Sequence, residues 1–384
     1  MLRCLHLADL HLGWSPSELP AEKATIRQRE RDLLLKRAVD FALAPENRID
    51  LVIIAGDLFE SHRPEPAVAD EAVRQLERLA RAALPLVTVP GNHDEITYHD
   101  SIYRQRSTSW PGLLVRNPMP QRVALWNVNG TPVSVYSLAY TGGLTRVEDL
   151  TNLPRAEGPG IHIGAFHGSL DWQAGDRSLP IASEALAAAG YHYVALGHIH
   201  RYAESKTGTG VAVYPGMVEA KGFDDPGTGK LTVVQLTDTA GAGSPRVTVE
   251  TFPLPVRRHA SVEIDVSAVP SRDALAEACR AAAGDDRDAC VKITLRGTPS
   301  FPVDTTSLAR SLQEDFFYVE IADETTFTNE DLVSRLAAQP TIQGYFVRRL
   351  AARLESTSDA RERKVLELAI RKGLAAFREG GGAR

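Results

Sequence analysis

The sequence predicts an α/β protein in which two β-sheets pack face to face. Three observations lead there. Apolar runs of strand length recur as far as Phe252, and five of them end in a cluster of Asp, His, Asn or Gly. The first three alternate with helix-forming segments, while those after Leu113 follow one another through turns.

The elements follow in order. Leu2 to Ala8 is an apolar run that stops at Asp9-Leu-His11-Leu-Gly13, a strand entering a loop. Ala21 to Leu43 is rich in helix formers, with Leu33, Leu34, Ala38 and Phe41 at helical spacing. Ile49 to Ala55 reads as a buried parallel strand ending at Gly56-Asp57, and a helix follows from Pro66 to Ala83. Leu86 to Val89 is a third strand, ending at Pro90-Gly-Asn-His-Asp94. Three such cycles describe a sheet whose site lies outside the carboxyl ends of its strands.

A second sheet is expected from Val123 to Val128, Val133 to Leu138, Ile161 to Phe166, Tyr193 to Leu196, Val211 to Tyr214 and Leu231 to Leu236. Ala240 to Pro245 reads as a hairpin tip leading into a strand from Arg246 to Phe252, and Pro253 and Pro255 mark a boundary. Beyond it come strand, helix, strand, helix and strand: Val262 to Val266, Arg272 to Ala283, Cys290 to Leu295, Leu308 to Asp315 and Phe317 to Ile321. From Asn329 only helical signals remain. Ile342, Phe346, Leu350 and Leu354 form one stripe; Leu366, Ile370, Leu374 and Phe377 form another, after a cap at Ser358 or Asp359. The expected organisation is a core at 1–253, a small α/β cap at 254–325 and a helical segment at 326–384.

Composition sets limits. The 384 residues, 43% hydrophobic and 24% charged, supply a sizeable core and two domains. Cys4, Cys279 and Cys290 match no zinc spacing and read as reduced, buried thiols, which points to a cytoplasmic protein. No apolar run reaches the roughly 18 residues of a membrane span, and His6, Asp9 and His11 interrupt the N-terminal stretch, so neither a span nor an export signal is expected. A net charge of −6 argues against holding nucleic acid by bulk charge alone. From Glu330 onward, however, 11 Lys+Arg stand against 7 Asp+Glu, so the tail is basic on an acidic body.

The chemistry concentrates in five clusters: Asp9-x-His11, Gly56-Asp57, Gly91-Asn92-His93-Asp94, His167-Gly168 and Gly197-His198-Ile199-His200. Mixed Asp, Asn and His ligands suit borderline divalent ions such as Mn, Fe(II) or Zn, whereas Mg or Ca would take oxygens alone. Asp-x-His and His-x-His have period-two spacing, which turns both members of a pair to one side of an extended chain. Each cluster alone is weak. Asn-His-Asp is often a self-bonded turn; five clusters in succession, each at a strand end and four with an adjacent glycine, specify one joint site.

In this order the clusters resemble the signature of the calcineurin-like metallophosphoesterases, D-x-H, G-D, G-N-H-[DE], H and G-H-x-H, over about the first 235 residues. Within that superfamily the chain is similar to the SbcD-type DNA repair exonucleases, through Asp9-Leu-His-Leu-Gly13, Gly56-Asp-Leu-Phe59 with Arg63-Pro64, and Tyr214-Pro-Gly216 with Phe223-Asp224. The resemblance implies a two-sheet sandwich in α-β-β-α layers and two bound divalent ions, with manganese expected. It implies that Asp9, His11 and His200 hold one ion, that Asn92, His167 and His198 hold the other, and that Asp57 bridges them. His93 is implied as the catalytic group that protonates the leaving oxygen, and Asp94 either orients its ring or caps the loop. Glu60 stands where some members carry histidine, and with His62 it is left out of the site. The implied activity is phosphodiester hydrolysis at DNA ends, exonuclease or endonuclease, in double-strand break repair with an SMC-like (SbcC-type) ATPase that docks on the C-terminal helices. A homodimer is also implied.

Other readings stay open. Trp14 and Trp172 either stack on unpaired bases or pack on the sheet edge, and Arg63, Arg104 and Arg106 either contact phosphates or are surface residues. His6, His99, His162, His192 and His259 have no partner spacing. A small phosphodiester or nucleotide is an alternative substrate, although Gly56-Asp-Leu-Phe-Glu-Ser-His62 lacks the Asp-Arg-Gly of the protein phosphatases. A non-catalytic DNA-end tether is a second alternative; it would be expected to have lost ligands, and none is lost.

Overall fold

The structure is a computed structural model that describes residues 1–142, 151–171, 178–225, 227–237, 245–299, 301, 303–325 and 330–379. The chain divides into two compact units, Met1–Arg257 and Arg258–Arg384.

In the first unit a six-stranded sheet has the order β14-β13-β1-β2-β3-β4, formed by Arg246–Pro253, Lys230–Thr237, Leu2–Leu7, Leu51–Ala55, Leu86–Val89 and Leu113–Leu114. Strands β1 to β4 run parallel, and β13 and β14 add antiparallel. A second six-stranded sheet has the order β11-β12-β10-β7-β6-β5: Ala203–Thr207, Gly210–Tyr214, Tyr193–Gly197, Ile161–His167, Thr131–Ser137 and Gln121–Val128. A short pair, β8 at Ser169–Leu170 and β9 at Pro180–Ile181, completes the unit's strands among the described residues.

Alternation along β1 explains the layering. Leu5 and Leu7, with Val52 and Ile54 of β2, meet Leu35, Ala38, Val39, Leu76 and Leu79 of the helices Leu34–Leu43 and Pro66–Arg81. His6 points the other way, its Nδ1 2.7 Å from the Tyr193 hydroxyl of the second sheet. One core therefore includes Ile53, Val87, Ile163 and Ala195 between the sheets. The outer face of the second sheet buries Phe166, Tyr191 and Val194 with Leu186 of the helix Ser183–Ala189. Helix, sheet, sheet and helix are stacked as expected.

The second unit pairs β15, β16 and β17 (His259–Asp265, Cys290–Arg296 and Tyr318–Asp323) in parallel. Helices Arg272–Ala283 and Thr305–Leu312 join them, burying Leu275, Cys279 and Leu308 against Val291, Ile293 and Leu295. Three further helices, Glu330–Ala337, Ile342–Ser356 and Ala360–Glu379, gather around Val347, Ile370 and Leu374. The cap of the last is Asp359, which accepts from the Arg361 N–H at 2.9 Å. The three cysteines are buried thiols.

Several expectations shift. The single helix at 21–43 is two, Ala21–Asp32 and Leu34–Leu43, parted at Leu33. The helix expected at Leu308 starts at Thr305, because Asp304 caps it by accepting from Ser307 N–H at 3.0 Å. Ile342, at the head of its stripe, is 78% exposed, and the buried positions of that helix are Gly344 and Val347. The strand at Leu231 to Leu236, expected in the second sheet, pairs antiparallel with β1 and so belongs to the first. Strand β11 was not foreseen; it is an edge strand of mostly polar residues. The hairpin tip at 240–244, Trp172 and residues 380–384 lie outside the described residues. Among the described residues no helix is long and apolar enough to cross a membrane.

The break at Leu33 separates two jobs. Helix Leu34–Leu43 packs on the sheet, whereas helix Ala21–Asp32 buries Arg27 and Arg31. Arg31 donates to the carbonyls of Leu10 (3.2 Å), Glu219 (2.9 Å) and Ala220 (2.6 Å), and Arg27 donates to the Glu219 carboxylate and the Ala220 carbonyl. The Arg31 guanidinium also lies 4.7 Å over the Trp14 ring, so that tryptophan packs rather than stands free. The clamp pins residues 217–220 against the loop after β1. Arg31→Met removes all three donors while keeping the stem, and is expected to destabilise the first unit by about 2–4 kcal/mol. All four tryptophans lie in that unit. Urea unfolding followed by tryptophan fluorescence therefore reads the loss, and an unmoved midpoint would refute the clamp.

Candidate metal centre

Five parallel strands end on one side of the sandwich. From the first sheet, β1 leads to Asp9 and His11, β2 to Asp57, and β3 to Asn92 and His93; from the second, β7 ends in His167 and β10 leads to His198 and His200. His167 is paired in register with Gly197. The two sheets thus each supply half of a cluster.

The loops are held in costly backbone. Asp9, His11, Asp57 and His198 have φ of 54°, 49°, 49° and 104°, the left-handed region that side-chain-bearing residues avoid. Backbone bonds lock two of these loops together: Asp9 N–H to Gly56 O (3.1 Å), His11 N–H to Asp57 O (3.0 Å) and Leu12 N–H to Leu58 O (2.9 Å). Two glycines leave the necessary room. A Cβ on Gly91 would strike the Asp57 carboxylate and lie 2.5 Å from its backbone nitrogen, and one on Gly56, at φ 91°, would strike the His167 ring.

The structure brings together all seven residues expected as ligands. His11 Nε2 lies 3.2 Å from His200 Nε2, and Asp9, His11 and His200 can share one ion. Asn92 Oδ1 lies 2.9 Å from His167 Nε2 and 2.8 Å from His198 Nδ1. Asp57 stands between these groups, its Oδ2 3.8 Å from His11 Nε2 and 3.4 Å from His167 Nε2. Asp9, Asp57 and His167, and likewise His11, Asp57 and His93, also lie close enough to share an ion. Asp9 accepts the His198 backbone N–H at 3.0 Å, so the groups support one another.

The electrostatics fit a cation. Asp9, His11, Asp57 and His167 are at most 2% exposed. Burial, then Asp57, pushes Asp9 up to about 6. Burial also opposes the charge on Asp57, but His167 and His11 outweigh it and hold Asp57 well below the usual carboxylate range. Burial lowers His11 to about 4, and it would lower His167 too, but Asp57 raises His167 to about 9. Two buried carboxylates facing imidazoles are a donor set that suits divalent metal ions.

His93 is 36% exposed. Its N–H donates to Asp57 Oδ1 at 2.9 Å, and its Nδ1 lies 3.1 Å from the Glu60 carbonyl. Asp94 does not orient its ring. The Asp94 carboxylate is fully buried and accepts from Gly91 N–H (2.7 Å), Phe59 N–H (3.1 Å) and the Tyr103 hydroxyl (2.7 Å), which makes it the post around which the 91–94 loop folds.

Three side chains outside the expected set stand at the centre. Glu60 Oε2 lies 2.8 Å from His11 Nδ1 and 2.5 Å from Lys221 Nζ, and Asp225 Oδ2 lies 2.5 Å from His200 Nδ1. Glu60 follows Gly-Asp-Leu-Phe, so its position was legible; Lys221 and Asp225 come from a loop with no ligand spacing. His62, by contrast, stacks on Tyr98 with ring centres 4.0 Å apart. Arg63 and Arg106 pair with Asp100 and Asp70. His6 and His162 are buried, His162 between the Tyr136 hydroxyl and the Gly158 carbonyl, and His99 is 93% exposed.

Residues 2–202, just over half of the chain, match the calcineurin-like phosphoesterase family, and the chain belongs to it. It is 26% identical over 243 residues to the uncharacterized metallophosphoesterase YhaO of Bacillus subtilis, a match covering 62% of this chain and 58% of that one. It is 26% identical over 255 residues to the DNA double-strand break repair protein Mre11 of Methanopyrus kandleri, covering 63% and 52%. With the protein of the same description from Methanosarcina mazei it shares 25% over 248 residues, covering 62% and 36%. The chain spans about half the length of these relatives, or less.

Metal loading must displace the His167 proton, since its value near 9 lies above neutrality. Apparent affinity is therefore expected to rise about tenfold per pH unit from about pH 7 to about pH 8.5, with about one proton released. Calorimetric titration in buffers of different ionisation enthalpy checks this, and an affinity independent of pH would contradict the His167–Asp57 pairing.

Proposed function

We propose that this chain is a two-metal phosphodiesterase that cleaves DNA at its ends, with manganese as the working ion. The observation that carries the reading is the arrangement around Asp57: two ligand groups on either side of one buried carboxylate, with a half-buried histidine beside it. The likeness to archaeal proteins described as double-strand break repair proteins supports DNA as the substrate.

Asp9, His11 and His200 would hold one ion, Asn92, His167 and His198 the other, and Asp57 both. A pair of divalent ions so held lowers the pKa of an attacking water and stabilises charge on the phosphoryl oxygens. Asp57 also fixes the His93 backbone. With Nδ1 at the Glu60 carbonyl, His93 presents Nε2 to the substrate and protonates the oxygen that leaves as the P–O bond breaks. Asp94 keeps the loop in shape.

The C-terminal helices are proposed to dock on an SMC-like ATPase, and a homodimer is proposed as the working state. Exposed Ile342, Tyr345, Val365 and Leu368 on those helices support the first.

The test is digestion of labelled linear, hairpin and circular DNA with manganese. His93→Ala is expected to lower turnover by about 10²-fold or more with metal content unchanged. Full activity in that variant removes His93 from the mechanism. Turnover of a chromogenic diester without cleavage of any DNA would favour the small-substrate alternative.

A further inference from the structure

The 217–225 loop supplies a side chain for which the metal centre itself has no use. Met217 N–H bonds the His200 carbonyl at 2.9 Å, the Arg27–Arg31 clamp pins Glu219 and Ala220, and Lys221 N–H bonds the Asp225 carbonyl at 3.1 Å. The loop is therefore rigid where it meets the site. It presents two groups: Asp225 to His200, and Lys221 to Glu60, which itself abuts His11.

Asp225 and Glu60 are understandable as orienters of imidazoles, since a carboxylate on one ring nitrogen fixes the tautomer and turns the other toward an ion. Lys221 is not. It is only 17% exposed, and it stands where divalent ions held by His11 and His200 would repel it. Glu60 neutralises it but occupies one of its three N–H donors, and among the described residues no other hydrogen-bond partner of the ammonium is found. A cation kept beside a cationic centre, with donors to spare, suits an anion that arrives with the substrate.

We propose that Lys221 grips a non-bridging phosphate oxygen of the substrate, with Glu60 holding the ammonium in place beside His11. This rests on the phosphodiesterase reading above and adds to it the residue that binds the phosphate from outside the metal pair. Asp225, Glu60 and the arginine clamp are positioning residues.

The test uses the full chain at saturating manganese. Inorganic phosphate binding is measured by calorimetry, and KM and kcat are measured with bis(p-nitrophenyl) phosphate, for the wild type, Lys221→Met and Lys221→Arg. Met keeps the aliphatic stem without the charge, and Arg keeps the charge. In Lys221→Met, phosphate affinity is expected to fall and KM to rise about tenfold or more, with kcat changed by less than about threefold; Arg recovers most of the loss. Equal phosphate affinity in the wild type and Lys221→Met overturns the proposal, as does no phosphate binding at all. An equal loss in the Arg and Met variants overturns it too, since the lysine would then act through packing. If the wild type turns over no diester, the hydrolase reading fails while the calorimetric comparison still decides the role of Lys221.

Discussion

The first unit is organised around one unfavourable act, the removal of two carboxylates from water. Asp9 and Asp57 lie between two sheets with imidazoles as their nearest counter-charges. In a low-dielectric interior such groups demand a partner, and one protonated imidazole, that of His167, does not fully supply it for two carboxylates. The rest of the site follows from that demand. Ligand atoms approach from both sheets, a glycine is needed where a side chain would fill the space of Asp57, and the loops adopt backbone conformations that only the surrounding bonds can hold.

Those loops are stiffened by ordinary structural means. The loops after β1 and β2 are bonded to each other through their backbones, and Asp94 folds the loop after β3 around its own carboxylate. The loop at 217–220 is held in addition by two buried arginines reaching from a helix more than 180 residues away in sequence. Each device replaces flexibility with bonds made outside the cluster. The donors are therefore arranged before any ligand arrives, and little ordering remains to be done on binding.

The parallel core was legible because period and composition agree: strands buried on both faces read as unbroken apolar runs, and each ends in a polar cluster. The seven ligand candidates were legible because they lie next to strand ends, where sequence adjacency and spatial adjacency coincide. Lys221, Asp225 and the Arg27–Glu219 pair were not, since they reach the centre across long sequence separations and carry no spacing of their own. Asp94 shows a different difficulty. Its residue type and neighbours suited a role in orienting His93, but direction is a property of rotamer and loop path, and its oxygens are taken by two backbone N–H groups and the Tyr103 hydroxyl. Edge strand β11 was missed because polar residues on a sheet margin carry no apolar alternation.

The cluster draws its halves from different layers: His167 and His198 belong to one sheet, Asp9, Asp57 and Asn92 to the other. Ions seated among them would act as rivets through the sandwich, resisting any shear of one layer over its neighbour. Occupancy and the mechanical integrity of the domain are then a single property, and a substitution deep between the sheets can blunt chemistry without touching a ligand.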